Sequence, residues 1–112
     1  METISWEHFA KVDIRVGTIV EAVPFPEARK PAYQLQVDLG PELGIRKSSA
    51  QITELYQVEE LLGKQVLCVV NFPKKQIGPF LSEVLTMGLV GAEHGVVLVG
   101  PDKQTSNGLR LL

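Results

Sequence analysis

The chain has 112 residues, of which 45% are hydrophobic and 21% are charged. This length is sufficient to bury a core without disulfides or a structural metal, and the composition excludes an intrinsically disordered chain. Eleven basic and thirteen acidic residues give a formal net charge of −2, which argues against a dedicated nucleic-acid binder, because such proteins usually carry a basic excess.

The predicted elements are short, and the hydrophobic pattern changes from helical periodicity to strand alternation early in the chain. Residues 3–10 place an apolar face behind a threonine or serine that can cap them, which predicts a helix. Strict alternation then predicts a strand over residues 12–23, with a bulge or strong bend at Gly17. Three prolines in residues 24–31 predict a loop, since proline cannot donate to a strand ladder.

The middle of the chain predicts two more strands and a helix. Residues 33–39 alternate apolar and polar side chains, and residues 45–50 form a short, polar strand. The segment that follows has a helical tendency that ends at Gly63. Three later runs are apolar at nearly every position and predict strands that are covered on both faces: residues 66–70, 84–90 and 96–99.

Those apolar strands need more cover than the few short helices provide. We expect an oligomer interface or an apolar binding surface to supply it, in preference to the helices and tails. The apolar residues 108–112 could join that contact. Five or six short strands, with a helix between the third and the fourth and no βαβ repeat, predict an all-β fold: a five-stranded Greek-key barrel of the OB type, forming one domain over residues 1–112.

No catalytic or metal-binding cluster stands out in the sequence. His8 and His94 lie in different predicted elements, and Cys68 lies inside an apolar run, where it is expected to be a core residue. Glu59 and Glu60 are typical of a solvated helix face. There is no nucleophile elbow, phosphate-binding glycine loop or paired-cysteine motif. The sequence therefore predicts a protein that is not an enzyme and has no cofactor.

The segment NFPKKQIGPF, residues 71–80, has the composition of a binding loop. It could contact nucleic acid, hold an apolar polypeptide, or only turn the chain. Aromatic residues make up 6% of the chain, which is few for a groove that stacks successive bases. Six of the eleven basic residues form adjacent pairs, which could converge into one patch or be solvated separately: Arg29 with Lys30, Arg46 with Lys47, and Lys74 with Lys75.

Five segments carry a resemblance that covers nearly the whole chain: residues 11–22 (KVDIRVGTIVEA), 24–40, 45–56, 61–88 and 95–99. On these segments the sequence resembles the tRNA-binding-domain family of OB folds and, within it, the CsaA-type secretion chaperones. The DIRVG motif is common to the wider family. The motifs PEARKPAY, KSSAQIT and VVNFP, with SEVL, are typical of the chaperone branch.

One departure separates the sequence from the tRNA-binding relatives. Those relatives have an ESxGM-type segment; here Ser82 is kept, but Val84 and Leu85 replace the glycine and the methionine. This departure, together with the acidic net charge, favours a polypeptide ligand over tRNA.

The resemblance implies a homodimer formed through N- and C-terminal extensions, with a hollow for polypeptide near the interface. It also implies passive, ATP-independent holding of unfolded or precursor polypeptides for export, in contact with the translocation ATPase SecA. The beginning of the chain has no basic segment followed by a long apolar stretch, and no membrane-spanning run occurs, so we expect a cytoplasmic protein that does not insert into membranes. The alternative is a structure-specific tRNA-binding module.

Side-chain chemistry and family position predict three groups of ligand-binding residues, for each of which an ordinary turn or core role is the alternative. Apolar contact is expected from Phe72, Ile77, Phe80 and Val84. Hydrogen bonds to a peptide backbone are expected from Ser49, Gln51 and Asn71. A basic rim, or contact with RNA, is expected from Arg46, Lys47, Lys74 and Lys75, with Ser82 beside them.

Overall fold

The computed structural model describes residues 1–91 and 93–112. Its helices are α1 (Trp6–Ala10), α2 (Gly40–Leu43) and α3 (Val58–Leu61). Its strands are β1 (Ile14–Pro24), β2 (Tyr33–Asp38), β3 (Ile45–Ala50), β4 (Gln65–Val69), β5 (Lys75–Ile77), β6 (Phe80–Ser82), β7 (Leu85–Thr86), β8 (Gly88–Leu89) and β9 (Val97–Leu98).

Five antiparallel strands form the central sheet, in the order β3-β2-β1-β4-β7. The two edges of this sheet approach each other, because the backbone N–H groups of Glu83 and Val84 donate to the Lys47 carbonyl oxygen at 2.8 and 3.3 Å. The sheet thus nearly closes on itself. Helix α3 lies between β3 and β4 in the chain, and α1 precedes β1. The predicted five-stranded barrel of the OB type, with its two helices, is confirmed.

The bulge in the long strand β1 lies beyond the predicted position. The pairing of β1 with β2 shifts register between Ile19 and Glu21, whereas Gly17 pairs regularly with β4. Glycine is needed at position 17 for close approach: a Cβ atom there would lie 2.5 Å from Val37 Cγ1 and 2.7 Å from Leu39 Cδ2. The absence of a side chain lets β2 pack its core residues directly against β1.

Some predicted elements are shorter than the sequence patterns indicate. The helical tendency after residue 50 produces only α3, because Ile52 is buried in the barrel core and Tyr56 packs against it, which keeps residues 51–57 irregular with a turn at 53–55. Helix α2, with Pro41 in its first turn, was not predicted. The apolar run 84–90 divides into β7 and β8 rather than forming one strand.

The interior of the barrel contains a short chain of polar contacts where β3, β4 and β7 meet. Thr86 Oγ1 lies 2.8 Å from Ser48 Oγ, to which it donates, and 3.8 Å from Cys68 Sγ. Burial raises the pKa of the Cys68 thiol to about 11, so the thiol stays protonated and unreactive at neutral pH. Cys68 is a core residue, as its apolar neighbours in the sequence predict.

The outer face of β1 and β4 is covered within the chain. The apolar residues on this face are Ile14, Val16, Leu67 and Val69. The residues packed against them are Phe9, Val12, Met87 and Val99. The N-terminal helix and the segments around β7 and β9 therefore supply the cover that the sequence analysis attributed to an interface or a ligand.

The C-terminal segment 108–111 pairs with the first half of β1. Gly108 N donates to the Val16 carbonyl oxygen at 2.7 Å, and Leu111 N donates to the Ile14 carbonyl oxygen at 2.9 Å. This half of β1 is not paired with β2, so its free edge is open to another strand-like segment. The tail is thus fixed to its own barrel through its backbone.

Candidate functional site

An open hollow of about 660 Å³ lies between the end of β3, the β5–β6 hairpin and β7. We call it the apolar hollow. Its lining includes the side chains of Ile52, Phe72, Ile77, Val84, Leu85, Val90 and Val96, with Ser49, Gln51, Lys75, Ser82 and Glu83 among the polar ones. Ile52 and Val84 are buried and form its floor, whereas Phe72 and Val90 are 54% and 83% exposed and form its rim. The hollow therefore presents aliphatic surface to a ligand from solvent.

Hydrogen bonds hold the hairpin beside β3 and so fix the shape of the apolar hollow. Ser49 N donates to Ser82 Oγ at 3.1 Å, and Lys47 N donates to Glu83 Oε1 at 3.0 Å. The other carboxylate oxygen of Glu83 pairs with Lys74 Nζ at 3.5 Å. Ser82 and Glu83 thus link the hairpin to the barrel, and Lys74 is directed toward Glu83.

Phe80 does not line the apolar hollow, in contrast to the role the sequence suggested. It is 8% exposed and packs with Phe25 and Ala32 in a separate small core, where the centroids of the two phenylalanine rings lie 5.4 Å apart. Lys47 Nζ lies 5.5 Å from the Phe80 ring centroid. Because its side chain packs against the loop after β1, Phe80 anchors the hairpin and does not contribute to the lining of the apolar hollow.

Asn71 also has a structural task. Its Oδ1 accepts a hydrogen bond from Asp13 N at 3.0 Å, and its Nδ2 donates to the Lys11 carbonyl oxygen at 2.7 Å. Both ends of the side-chain amide are therefore used to connect the end of β4 to the segment before β1. Asn71 is not part of the lining of the apolar hollow.

The remaining predicted residues divide between the apolar hollow and other surroundings. Those that line it are Ser49, Gln51, Phe72, Ile77 and Val84, with Lys75 and Ser82 from the predicted basic group. Arg46 lies outside it and donates from Nε to the Leu43 carbonyl oxygen at 2.9 Å. Val90 and Val96 were not predicted, because the sequence marks them only as apolar and the fold alone brings them beside β3.

A second hollow, of about 730 Å³, adjoins the apolar hollow. We call it the basic hollow, because its lining includes Arg29, Lys30 and Lys75 and only one acidic residue, Glu27. Four residues line both hollows: Ser49, Gln51, Lys75 and Ile77. The three basic pairs thus converge only in part, since Arg46, Lys47 and Lys74 do not line the basic hollow.

Neither a metal cluster nor a membrane-spanning helix is found in residues 1–91 and 93–112. No three His, Cys, Asp or Glu side chains in these ranges come close enough to hold an ion. No helix in the same ranges is long and apolar enough to cross a bilayer.

A nearly closed five-stranded OB barrel with two open hollows beside one hairpin defines a small ligand-binding domain. The family model described as "Putative tRNA binding domain" matches residues 14–110, and the chain belongs to that family.

Two solved structures match the chain over essentially its whole length. The CsaA chaperone of Bacillus anthracis is 44% identical, with a TM-score of 0.92 and coverage of 99% of this chain and 100% of that one. The CsaA chaperone of Picrophilus torridus is 45% identical, with a TM-score of 0.93 and coverage of 98% and 100%. The resemblance to the CsaA-type branch is confirmed.

Larger relatives contain a similar domain. The methionine–tRNA ligase of Thermococcus kodakarensis is 36% identical over 111 residues, which are 99% of this chain but only 14% of the ligase. The chain thus spans a small part of the synthetases that it matches.

Proposed function

We propose that the chain binds extended, apolar polypeptide segments in the apolar hollow and acts in the cytoplasm as an ATP-independent chaperone for exported proteins. The observation that carries the proposal is the hollow itself, with a buried aliphatic floor and an exposed apolar rim. Similarity to two CsaA chaperones supports it. Contact with the translocation ATPase SecA, which the resemblance implies, belongs to the same proposal.

The size and lining of the apolar hollow suit a short length of extended chain. Its volume of about 660 Å³ lies within the usual range of ligand pockets, roughly 300–1,000 Å³. Ser49 and Gln51 provide polar groups next to the aliphatic floor, where they can bond to a peptide backbone. Binding there lowers the concentration of free, aggregation-prone chain by mass action and needs no nucleotide.

We also propose a homodimer, formed through apolar side chains that the fold leaves exposed near both ends of the chain. Trp6 is 65% exposed, and Leu109 and Leu112 are 52% and 69% exposed. The backbone of residues 108–111 is paired with β1, so the exposed Leu109 side chain is held at a fixed place on the barrel. Analytical ultracentrifugation at micromolar concentration should give twice the chain mass, and a monomeric mass would remove this part of the proposal.

A second candidate function is tRNA binding. The family model and the ligases that share this domain support it. So does the basic hollow, where Arg29, Lys30 and Lys75 could contact phosphates.

A titration of the full chain separates the two candidates. Binding of a neutral, apolar peptide taken from an exported precursor, and of tRNA, is measured at two salt concentrations. We expect the peptide to bind with little dependence on salt, because the apolar hollow supplies most of the contact, and tRNA to bind weakly. Tight tRNA binding that falls steeply with salt, without any peptide binding, would reverse the choice.

A further inference from the structure

The basic hollow concentrates positive charge that the chain does not use internally. Arg29, Lys30 and Lys75 line it against the single carboxylate of Glu27. None of these three cations forms an ion pair with an acidic side chain in the described ranges 1–91 and 93–112. Because the whole chain has a net charge of −2, this cationic hollow is a local feature and not a property of the entire surface.

The two hollows are adjacent and share one wall. Ser49 and Gln51, at the end of β3, line both hollows, as do Lys75 and Ile77 of β5. Lys75 and Ile77 are two positions apart on a strand, so their side chains point to the same side. A ligand that crosses this wall would touch aliphatic surface on one side and unpaired cations on the other.

We propose that the two hollows form one composite site, whose preferred ligand is a polypeptide with a carboxylate close to its apolar segment. This inference rests on the polypeptide binding proposed above and adds a charge requirement to it. Because the two hollows share lining residues, the carboxylate should lie within a few residues of the apolar side chains along an extended chain. Charge-assisted hydrogen bonds from Arg29 and Lys30 would hold it.

The lining of the site favours a carboxylate-bearing polypeptide over RNA. Only one aromatic side chain, Phe72, is among the residues that line the apolar hollow, whereas grooves for single-stranded RNA stack successive bases on several aromatic rings. Each hollow also contains one carboxylate, that of Glu83 or that of Glu27. These two groups would repel a continuous phosphate backbone more than a single acidic side chain that is placed among the three cations.

The composite site predicts which charge beside an apolar segment favours binding of a polypeptide. A segment with lysine or arginine beside its apolar run would place positive charge against Arg29, Lys30 and Lys75. It should therefore bind more weakly than a neutral segment, and a segment with aspartate or glutamate there should bind more tightly.

The test is isothermal titration calorimetry of the full chain with peptides that differ only beside a constant apolar core. Two aspartates, two asparagines or two lysines flank the core, and both peptide ends are blocked; a fourth peptide has asparagines and a free C-terminal carboxylate. We expect the aspartate peptide to bind about tenfold tighter than the asparagine peptide, with an advantage that shrinks at high salt. The lysine peptide should bind most weakly.

Two double variants test whether the preference for aspartate comes from the basic hollow or from the net charge of the chain. Arg29→Gln with Lys30→Gln should remove the preference for aspartate, and both side chains are exposed, so the fold should not change. Lys11→Gln with Lys103→Gln removes the same charge from exposed positions outside both hollows, and it should keep the preference.

Each other outcome has a defined meaning. Tight binding of the peptide with the free C-terminus supports the same carboxylate chemistry, with the chain end as its source. Equal binding of the aspartate and asparagine peptides overturns the composite site and leaves the proposed function standing, whereas failure of every peptide to bind overturns both. A single-stranded RNA oligonucleotide that binds tightly and is lost in Arg29→Gln with Lys30→Gln, while peptide binding is unchanged, assigns the basic hollow to RNA and overturns the inference.

Discussion

Replacing Gly40 with alanine is expected to lower the free energy of unfolding by about 3 kcal/mol, which combines strain from a left-handed conformation with a backbone clash. Gly40 has φ +91°, where an L side chain costs about 1–2 kcal/mol. A Cβ atom at this position would lie 2.6 Å from the Asn107 carbonyl oxygen. The Asn107 oxygen belongs to the backbone and the Cβ atom is attached rigidly to it, so the turn at Gly40 and the tail would have to move apart.

Gly63, in the turn that follows α3, provides a matched control. Its φ of +85° is also left-handed, but a Cβ atom there would meet nothing within 4 Å. Gly63→Ala should therefore cost only about 1 kcal/mol. Urea unfolding followed by far-ultraviolet circular dichroism measures both losses. Equal losses in the two variants would show that the contact with Asn107 contributes nothing to stability.

The same pair of variants tests how the tail is held. In Gly40→Ala, but not in Gly63→Ala, the amide hydrogens of Gly108 and Leu111 should exchange faster, because both are donated to β1. A tail that exchanges at the wild-type rate in Gly40→Ala would mean that its pairing with β1 does not depend on this close approach.

The strands of the barrel could be predicted because their signal is local. In β2 the residues Tyr33, Leu35 and Val37 alternate with polar ones, and the first set is buried in the structure. In β4 the run from Val66 to Val69 is apolar at every position and is buried throughout. A periodicity of two, or its absence, is a property of neighbouring residues and needs no knowledge of the rest of the fold.

The covering of the outer face could not be predicted in the same way. Apolar residues on both faces of β4 indicate that both faces are buried, but they do not show which segments pack on the outer face. The answer depends on where α1 and the segments around Met87 and Val99 lie, which is set by long-range packing. Pairing between the tail and β1 leaves no pattern in the side chains, because it uses backbone groups that every residue has.

The candidate site shows the same limit at the level of single residues. Phe72 and Phe80 are both phenylalanines of the segment 71–80, yet Phe72 is 54% exposed and Phe80 is 8% exposed. The difference arises from the β5–β6 hairpin, in which Ile77 pairs with Phe80 and turns the Phe80 ring toward Phe25. The sequence predicts a binding role for the segment but does not show which of its aromatic rings is exposed.

Replacing Phe72 with alanine is expected to weaken binding of an apolar peptide about tenfold, because aromatic side chains that a ligand covers and desolvates often carry a large share of the binding energy. Phe72 is half exposed and borders the apolar hollow. Pro73 follows it and restricts the backbone, so less entropy is lost when the ring meets a ligand. Stability should change by less than about 0.5 kcal/mol, as measured by urea unfolding.

Leu62→Ala is the matched control, because Leu62 is 55% exposed and lies at the end of α3, outside the apolar hollow. Its removal should leave peptide affinity unchanged. Calorimetric titration with the same neutral peptide compares the two variants. An unchanged affinity in Phe72→Ala would remove the ring from the site, and equal losses in both variants would indicate a general effect of surface hydrophobicity.

Phe72→Leu then distinguishes the two candidate ligands. An apolar peptide side chain needs only apolar contact, so leucine should keep most of the peptide affinity that alanine loses. A nucleic-acid base needs an aromatic face, on which stacking contributes about 1–3 kcal/mol per base, so leucine should weaken RNA binding nearly as much as alanine does. Because the three side chains at this position are uncharged, the comparison separates stacking from apolar contact without changing the electrostatics of the two hollows.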